Sequence, residues 1–143
     1  MILSLLLAAS IVPTGQSFDC TPVAVWDGDG PIWCAEGPHV RLSGIAAREM
    51  DGTCSSGHPC PAADAIAARD HLVRLVGKPQ GVMRTGHIKV SGPIMRCRSA
   101  GGAGGTRTAA FCISPVGGDL SCAMVRDEYA ARWDRYWQGH ICP

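Results

Sequence analysis

Apolar residues recur along this chain at two spacings, and the change of spacing divides it into elements. Residues 23–26 form a short β-prone run, Asp27-Gly28-Asp29-Gly30 has the composition of a tight turn, and residues 32–34 resume strand character. That combination predicts a hairpin. Glu36-Gly37-Pro38 marks a second turn, and residues 39–43 alternate polar with apolar as a half-buried strand does. Residues 50–59 form a loop rich in Gly, Ser and Cys, after which Pro61 opens a helix over about residues 62–76. Its apolar stripe is Ala65, Ala68, Leu72, Leu75 and Val76, and Gly77 and Pro79 supply the stop. Strand chemistry then returns at 86–90, 94–98 and 107–114, the last two joined by a glycine-rich run at 101–105 that reads as a hairpin tip. Asp119 is suited to cap a helix reaching about Tyr129, and residues 131–137 read as a second helical segment.

Three strands, a helix, two strands and further helices predict an α+β, mainly β fold. The arrangement that suits this order is a five-stranded OB-type barrel with the helix inserted after the third strand and helices at the C-terminus. The glycine run lacks the G-x-x-x-x-G-K-[ST] pattern and joins two strands, so it is not read as a phosphate loop. Residues 1–17 carry no charge, hold an apolar core over residues 2–12 and end in small residues, which is the pattern of a secretory signal peptide. The expected division is therefore a leader over 1–17 and one domain over 18–143.

Composition supports that division. The chain has 143 residues, 46% apolar and 17% charged, with a formal net charge of +1, which excludes a disordered, collagenous or coiled-coil chain and a polybasic tail. Eleven of its 13 cations are Arg, the residue suited to bidentate phosphate contact, although a coding bias toward Arg accounts for the ratio equally well. Eight cysteines behind an export signal imply four disulfides and an oxidising compartment, so the protein is expected to be secreted or periplasmic. Cys54, His58 and Cys60 form a rival zinc cluster, but no C-x-x-C pair is present and disulfides are favoured.

Three motifs carry candidate chemistry: Val25-Trp26-Asp27-Gly28-Asp29, then Val40-Arg41-Leu42-Ser43-Gly44-Ile45 with Glu49 four residues on, then Thr106-Arg107-Thr108-Ala109-Ala110-Phe111. In this order they resemble the staphylococcal nuclease (thermonuclease) family over roughly residues 23–130. The resemblance implies that Arg41 and Arg107 hold the scissile phosphate and stabilise charge on its oxygens, a task to which the guanidinium fork is suited. It further implies that Glu49 orients or deprotonates the attacking water, and that Asp29 helps to hold a catalytic calcium or another divalent cation. The expected activity is metal-assisted hydrolysis of DNA or RNA by a monomer.

The second motif departs from the family where the metal should sit. Ile45-Ala46-Ala47-Arg48-Glu49 places Ala46 where a second carboxylate is expected. Asp27, Asp51 and the Ala47 carbonyl are the candidate replacements, and Arg48, in place of a proline, could bring a cation to the phosphate. The alternative is a barrel that has lost hydrolysis and binds nucleic acid, oligosaccharide or protein; a structural or inhibitory exported protein is a third reading. The five histidines show no metal spacing and receive no role, and Trp133, Tyr136 and Trp137 either stack on bases or pack in the core. Proximity in the expected barrel pairs Cys20 with Cys34, Cys54 with Cys60, Cys97 with Cys112 and Cys122 with Cys142.

Overall fold

The computed structural model describes residues 9–143. Its elements begin with β1 (Ser17–Cys20), β2 (Pro22–Asp27), β3 (Gly30–Cys34), β4 (His39–Leu42) and β5 (Ile45–Ala46), followed by α1 (Ala65–Val76). Then come β6 (Lys78–Val82), β7 (Ile88–Ser91), β8 (Met95–Gly102), β9 (Arg107–Ser114) and β10 (Gly118–Asp119). The chain finishes with α2 (Leu120–Arg126), β11 (Ala131–Arg132) and α3 (Asp134–Trp137). Among the described residues the protein is thus mainly β, with three helices of 12, 7 and 4 residues. The apolar core of the expected leader falls largely in residues 1–8, outside the described residues.

Nine strands form one mixed sheet in the order β1-β8-β9-β4-β3-β2-β7-β6, with β10 added on β9, while β5 and β11 make a separate pair. The β4–β9 pairing is parallel and the others are antiparallel. The strand count exceeds the expected five, and the sheet is not closed into a barrel. Nevertheless it must curl. β7 and β8 stand far apart in the hydrogen-bonded order, yet only residues 92–94 separate them in the chain. Pro93 in that link has no N–H to continue a ladder. A Cβ on Gly92 would lie 2.1 Å from the Val76 carbonyl oxygen, so the end of α1 can pack on this bend only because residue 92 lacks a side chain.

The expected helix is present but starts later than Pro61 suggests. Asp64 caps it by accepting a hydrogen bond from the Ala67 N–H at 3.0 Å, which satisfies a donor left unpaired in the first turn. Its buried face is Ala65, Ala68, Leu72, Val73 and Val76, so Val73 takes the core position expected of Leu75. These residues pack with Val25, Ile32, Val40, Leu42 and Met95 from the sheet and Leu120 and Met124 from α2. Each large apolar side chain buried in this way contributes about 1.5–3 kcal/mol before conformational entropy is subtracted. Asp119 caps α2 through the Cys122 N–H at 3.0 Å, as its sequence position suggests. The helix ends at Arg126 rather than near Tyr129, and Glu128 just beyond it has a φ of 64°. No helix among the described residues is long and apolar enough to cross a membrane.

All four expected disulfides are present: Cys20–Cys34, Cys54–Cys60, Cys97–Cys112 and Cys122–Cys142. Cys97 and Cys112 are register partners across β8 and β9. Cys20 ends β1, outside the first hairpin, so its bridge joins β1 to β3. With Cys54 bonded to Cys60, the zinc reading of that cluster is excluded. Four disulfides are consistent with an oxidising location.

Candidate functional site

A cavity of about 850 Å³ opens on one face of the sheet. The strands bring the separated motifs to it. The parallel pairing of β4 with β9 sets His39 opposite Arg107 and Arg41 opposite Ala109, so both arginines line the same cavity from adjacent strands. The turn between β2 and β3 adds Asp27 and Asp29. A Cβ on Gly28 between them would lie 2.8 Å from the Cβ atoms of both Ala47 and Ala68, so glycine lets this turn press against α1 and the segment before Glu49.

Arg41 is held firmly. Its Nη1 donates to the Leu42 carbonyl at 2.5 Å and the Ile45 carbonyl at 2.6 Å, and its Nη2 donates to Asp29 Oδ2 at 3.1 Å. A guanidinium has five N–H groups. The Nε–H and one Nη2–H of Arg41 therefore have no partner among the described residues and are free for an incoming anion. The Cζ of Arg41 also sits 5.8 Å from the centre of the Trp133 ring, within cation–π range. Arg107 is exposed, and donates to the Ala103 carbonyl at 2.7 Å and the Gly104 carbonyl at 3.4 Å, both in the tip of its own hairpin.

Glu49 reaches the cavity from the loop between β5 and α1. Two features brace that loop. The Cys54–Cys60 bridge closes it, and Arg48 donates from Nε to the Pro61 carbonyl and from Nη1 to the Gly52 carbonyl, each at 2.9 Å. Arg48 is therefore a clamp on the loop, not the cation beside a phosphate suggested by its place in the motif. Glu49 Oε1 accepts from Ser55 Oγ at 2.8 Å, which fixes the carboxylate's direction. The same loop carries His58 into the cavity, where its ring lies 4.3 Å from that of Trp133.

Asp27 is 3% exposed. Burial, then the neighbouring Asp29 charge and the Asp29 hydrogen bond, with Glu49 further off, push its carboxyl from 3.8 up to about 10. Asp27 is therefore protonated at neutral pH in this arrangement. Asp29 Oδ2 accepts from both Arg41 and the Ala47 N–H.

The candidate ligands of the expected cation site stand in different settings. Calcium takes six to eight oxygens at 2.3–2.6 Å. Asp51 turns away to accept from the N–H and hydroxyl of Thr53, Ala46 is fully buried and offers no donor, and Asp29 Oδ2 is engaged by Arg41. Ala47 contributes its N–H to Asp29, whereas the expectation concerned its carbonyl. The one triad of metal-ligand type whose atoms lie within 4.8 Å of one another, among the described residues, is Asp119–Cys122–His140. There Cys122 is in a disulfide and Asp119 caps α2, so no thiolate is available.

Several cavity residues carried no signal in the sequence. Trp33, Thr85 and His87 line it from separate strands and loops with no shared motif, and Trp26 and His58 line it too, although the first motif and the zinc cluster gave them no role at such a cavity. The C-terminal aromatics divide between the two expected roles. Trp133 and Tyr136 face the cavity, whereas Trp137 is buried, donates from Nε1 to the His140 carbonyl at 2.6 Å, and packs against Phe111. No family model matches the chain, and neither a curated protein nor a solved structure matches it.

Proposed function

We propose that this protein is an exported hydrolase of phosphodiester bonds in nucleic acid, with Arg41 and Arg107 binding the phosphate and Glu49 acting on water. The observation that carries the reading is convergence: two arginines from adjacent strands, and a glutamate from a separate stapled loop, line one cavity. A phosphate needs paired N–H donors, which Arg41 offers in its unpartnered Nε–H and Nη2–H. The hydrolytic water needs a carboxylate oriented by a neighbour, which Ser55 provides for Glu49. The strands from β2 to β4, with α1 after them and β9 parallel to β4, also support an OB-type lineage of the thermonuclease kind. No step is assigned to calcium, because Asp29 Oδ2 is engaged by Arg41, Asp51 bonds to Thr53 and Ala46 has no ligand atom in its side chain. The four disulfides support secretion or a periplasmic location.

One observation favours a binding module instead. Ala46, where the family resemblance implies a second metal carboxylate, is fully buried, and its strand pairs with Ala131. The two readings separate in one experiment. Oxidised protein is incubated with a fluorescently labelled single strand in calcium, magnesium, manganese or EDTA, and compared with Glu49→Gln. The hydrolase reading expects shortened product and a loss of about 100-fold or more in Glu49→Gln, the usual range for removing a general base. Bound but uncut strand under every condition would leave the binding module.

A further inference from the structure

The cavity carries a second feature that phosphate hydrolysis does not require. Trp26 on β2, Trp33 on β3, His39 on β4 and His87 just before β7 form a continuous run of rings. Trp33 stacks on His39 with centroids 4.8 Å apart and planes 13° from parallel. His87 lies 4.1 Å from Trp33 and 4.9 Å from Trp26. Strand register puts the run beside the phosphate donors: Trp33 pairs with His39 across β3 and β4, and His39 pairs with Arg107 across β4 and β9. Residues directly opposite each other project from the same face of a sheet. The aromatic run therefore leads along that face to Arg107.

Three properties favour nucleobases as its occupant. Trp26 and Trp33 are half-buried and line the cavity, so each keeps part of its ring surface exposed there, although His39 and His87 already pack on Trp33. Burial holds His39 and His87 below the ordinary histidine value, with the His39 charge adding to the effect at His87, which favours neutral rings over imidazolium. The arginines next to it supply the complementary charge for a backbone whose bases lie on the rings. A duplex keeps its base faces stacked inside, whereas a single strand presents them.

Resting on the hydrolase reading of the cavity, we propose that Trp26, Trp33 and His87 form a base-stacking subsite that makes single-stranded nucleic acid the preferred substrate. The test measures equilibrium binding of the oxidised full chain to labelled dT8, to an abasic strand with the same number of phosphates, and to a blunt duplex. Strand integrity is checked by gel. The subsite expects dT8 to bind roughly tenfold more tightly than the other two, the scale of one base stack. Trp33→Ala should abolish that advantage and leave the abasic strand unchanged, while Trp33→Phe should restore most of it. If Trp33→Ala does not fold, Trp26→Ala supplies the same comparison. Equal weakening on dT8 and the abasic strand, or no change on either, overturns the subsite. A strand held by the rings but never cut removes the hydrolase reading alone; a strand cut with no dependence on Trp33 or Trp26 removes the subsite alone.

An independent observation concerns the leader. Val12 is 9% exposed; its N–H donates to Thr108 Oγ1 at 3.0 Å and its carbonyl accepts from Ser99 Oγ at 2.7 Å. Gly15 donates to the Ser99 carbonyl at 2.8 Å, Ser99 donates to the Gln16 carbonyl at 2.9 Å, and Ser17 pairs with Arg98. Cleavage after Ser17 would strip these partners from Ser99 and Thr108, which are both buried. We infer that residues 12–17 belong to the folded domain and that no cleavage occurs after Ser17. Intact mass and N-terminal sequencing of protein exported from a bacterial host should give a first residue no later than Val12. A first residue at Phe18 overturns the inference.

Discussion

Arg41 and Arg107 face one cavity from parallel neighbouring strands, yet they are held in opposite ways. Arg41 is 14% exposed in its side chain and is fixed by two carbonyls and Asp29. Arg107 is exposed and bonds only to the tip of its own hairpin. A buried guanidinium with three partners is part of the fold as well as a ligand for anions. An exposed one contributes little to the fold and can turn toward a substrate. The same residue type, in similar motif positions, thus answers to different constraints: stability and binding together at Arg41, binding alone at Arg107.

Removing each arginine in turn should separate the two roles. Arg41→Ala strands Asp29 and two carbonyls in a buried setting and should cost about 3–5 kcal/mol in urea unfolding. Arg107→Ala should stay within about 0.5 kcal/mol of the parent, since exposed substitutions rarely do more. Under the proposed function both should lose strand cleavage. Equal unfolding midpoints for the two variants would contradict the contrast.

Asp27 sharpens it from the acid side of the cavity. Its folded value of about 10 lies above the unfolded value of 3.8, so the folded state holds the proton more tightly. The stability this contributes is fully present below about pH 4 and is lost as pH rises toward 10. Denaturation between pH 5 and pH 8 should show a decline on the order of a few kcal/mol, at a limiting slope of about 1.4 kcal/mol per pH unit. Asp27→Asn, which cannot ionise, should flatten it.

The loop that carries Glu49 comes next. Opening the Cys54–Cys60 bridge by replacing both cysteines with Ser should cost about 2 kcal/mol, because the closed loop is short. Cleavage should fall by more than that stability loss accounts for, because the bridge also restrains the segment after Glu49. The smallest effect is expected for Asp51→Ala. Asp51 is exposed and bonds only to Thr53, so stability should change by less than about 0.5 kcal/mol and cleavage should be unchanged.

What could be read from the chain alone was local. The turn at Asp27–Gly30, the alternation at 39–43, the strand at Arg107–Ser114 and the cap at Asp119 each rest on a few neighbouring residues, and each is found in place. The disulfide pairs were also within reach, given a fold that set their strands side by side. β6 was not legible, because all five of its residues are exposed and leave no apolar alternation. β1 was hidden because its first residue was assigned to a leader. The open, curled sheet depends on Pro93 and Gly92 ending one ladder before another begins, a consequence of packing against α1.

The site divides in the same way. Which residues are chemically equipped is written in the chain: two arginines, a glutamate and an Asp-Gly-Asp turn. Their circumstances come from the fold. It buried Asp27, tied Arg41 to Asp29, turned Asp51 outward, made Arg48 a clamp and aligned Trp33, His39 and Arg107 in one row. The reason is that burial, register and ion pairing arise between residues far apart in the chain, and no short window of sequence contains both partners.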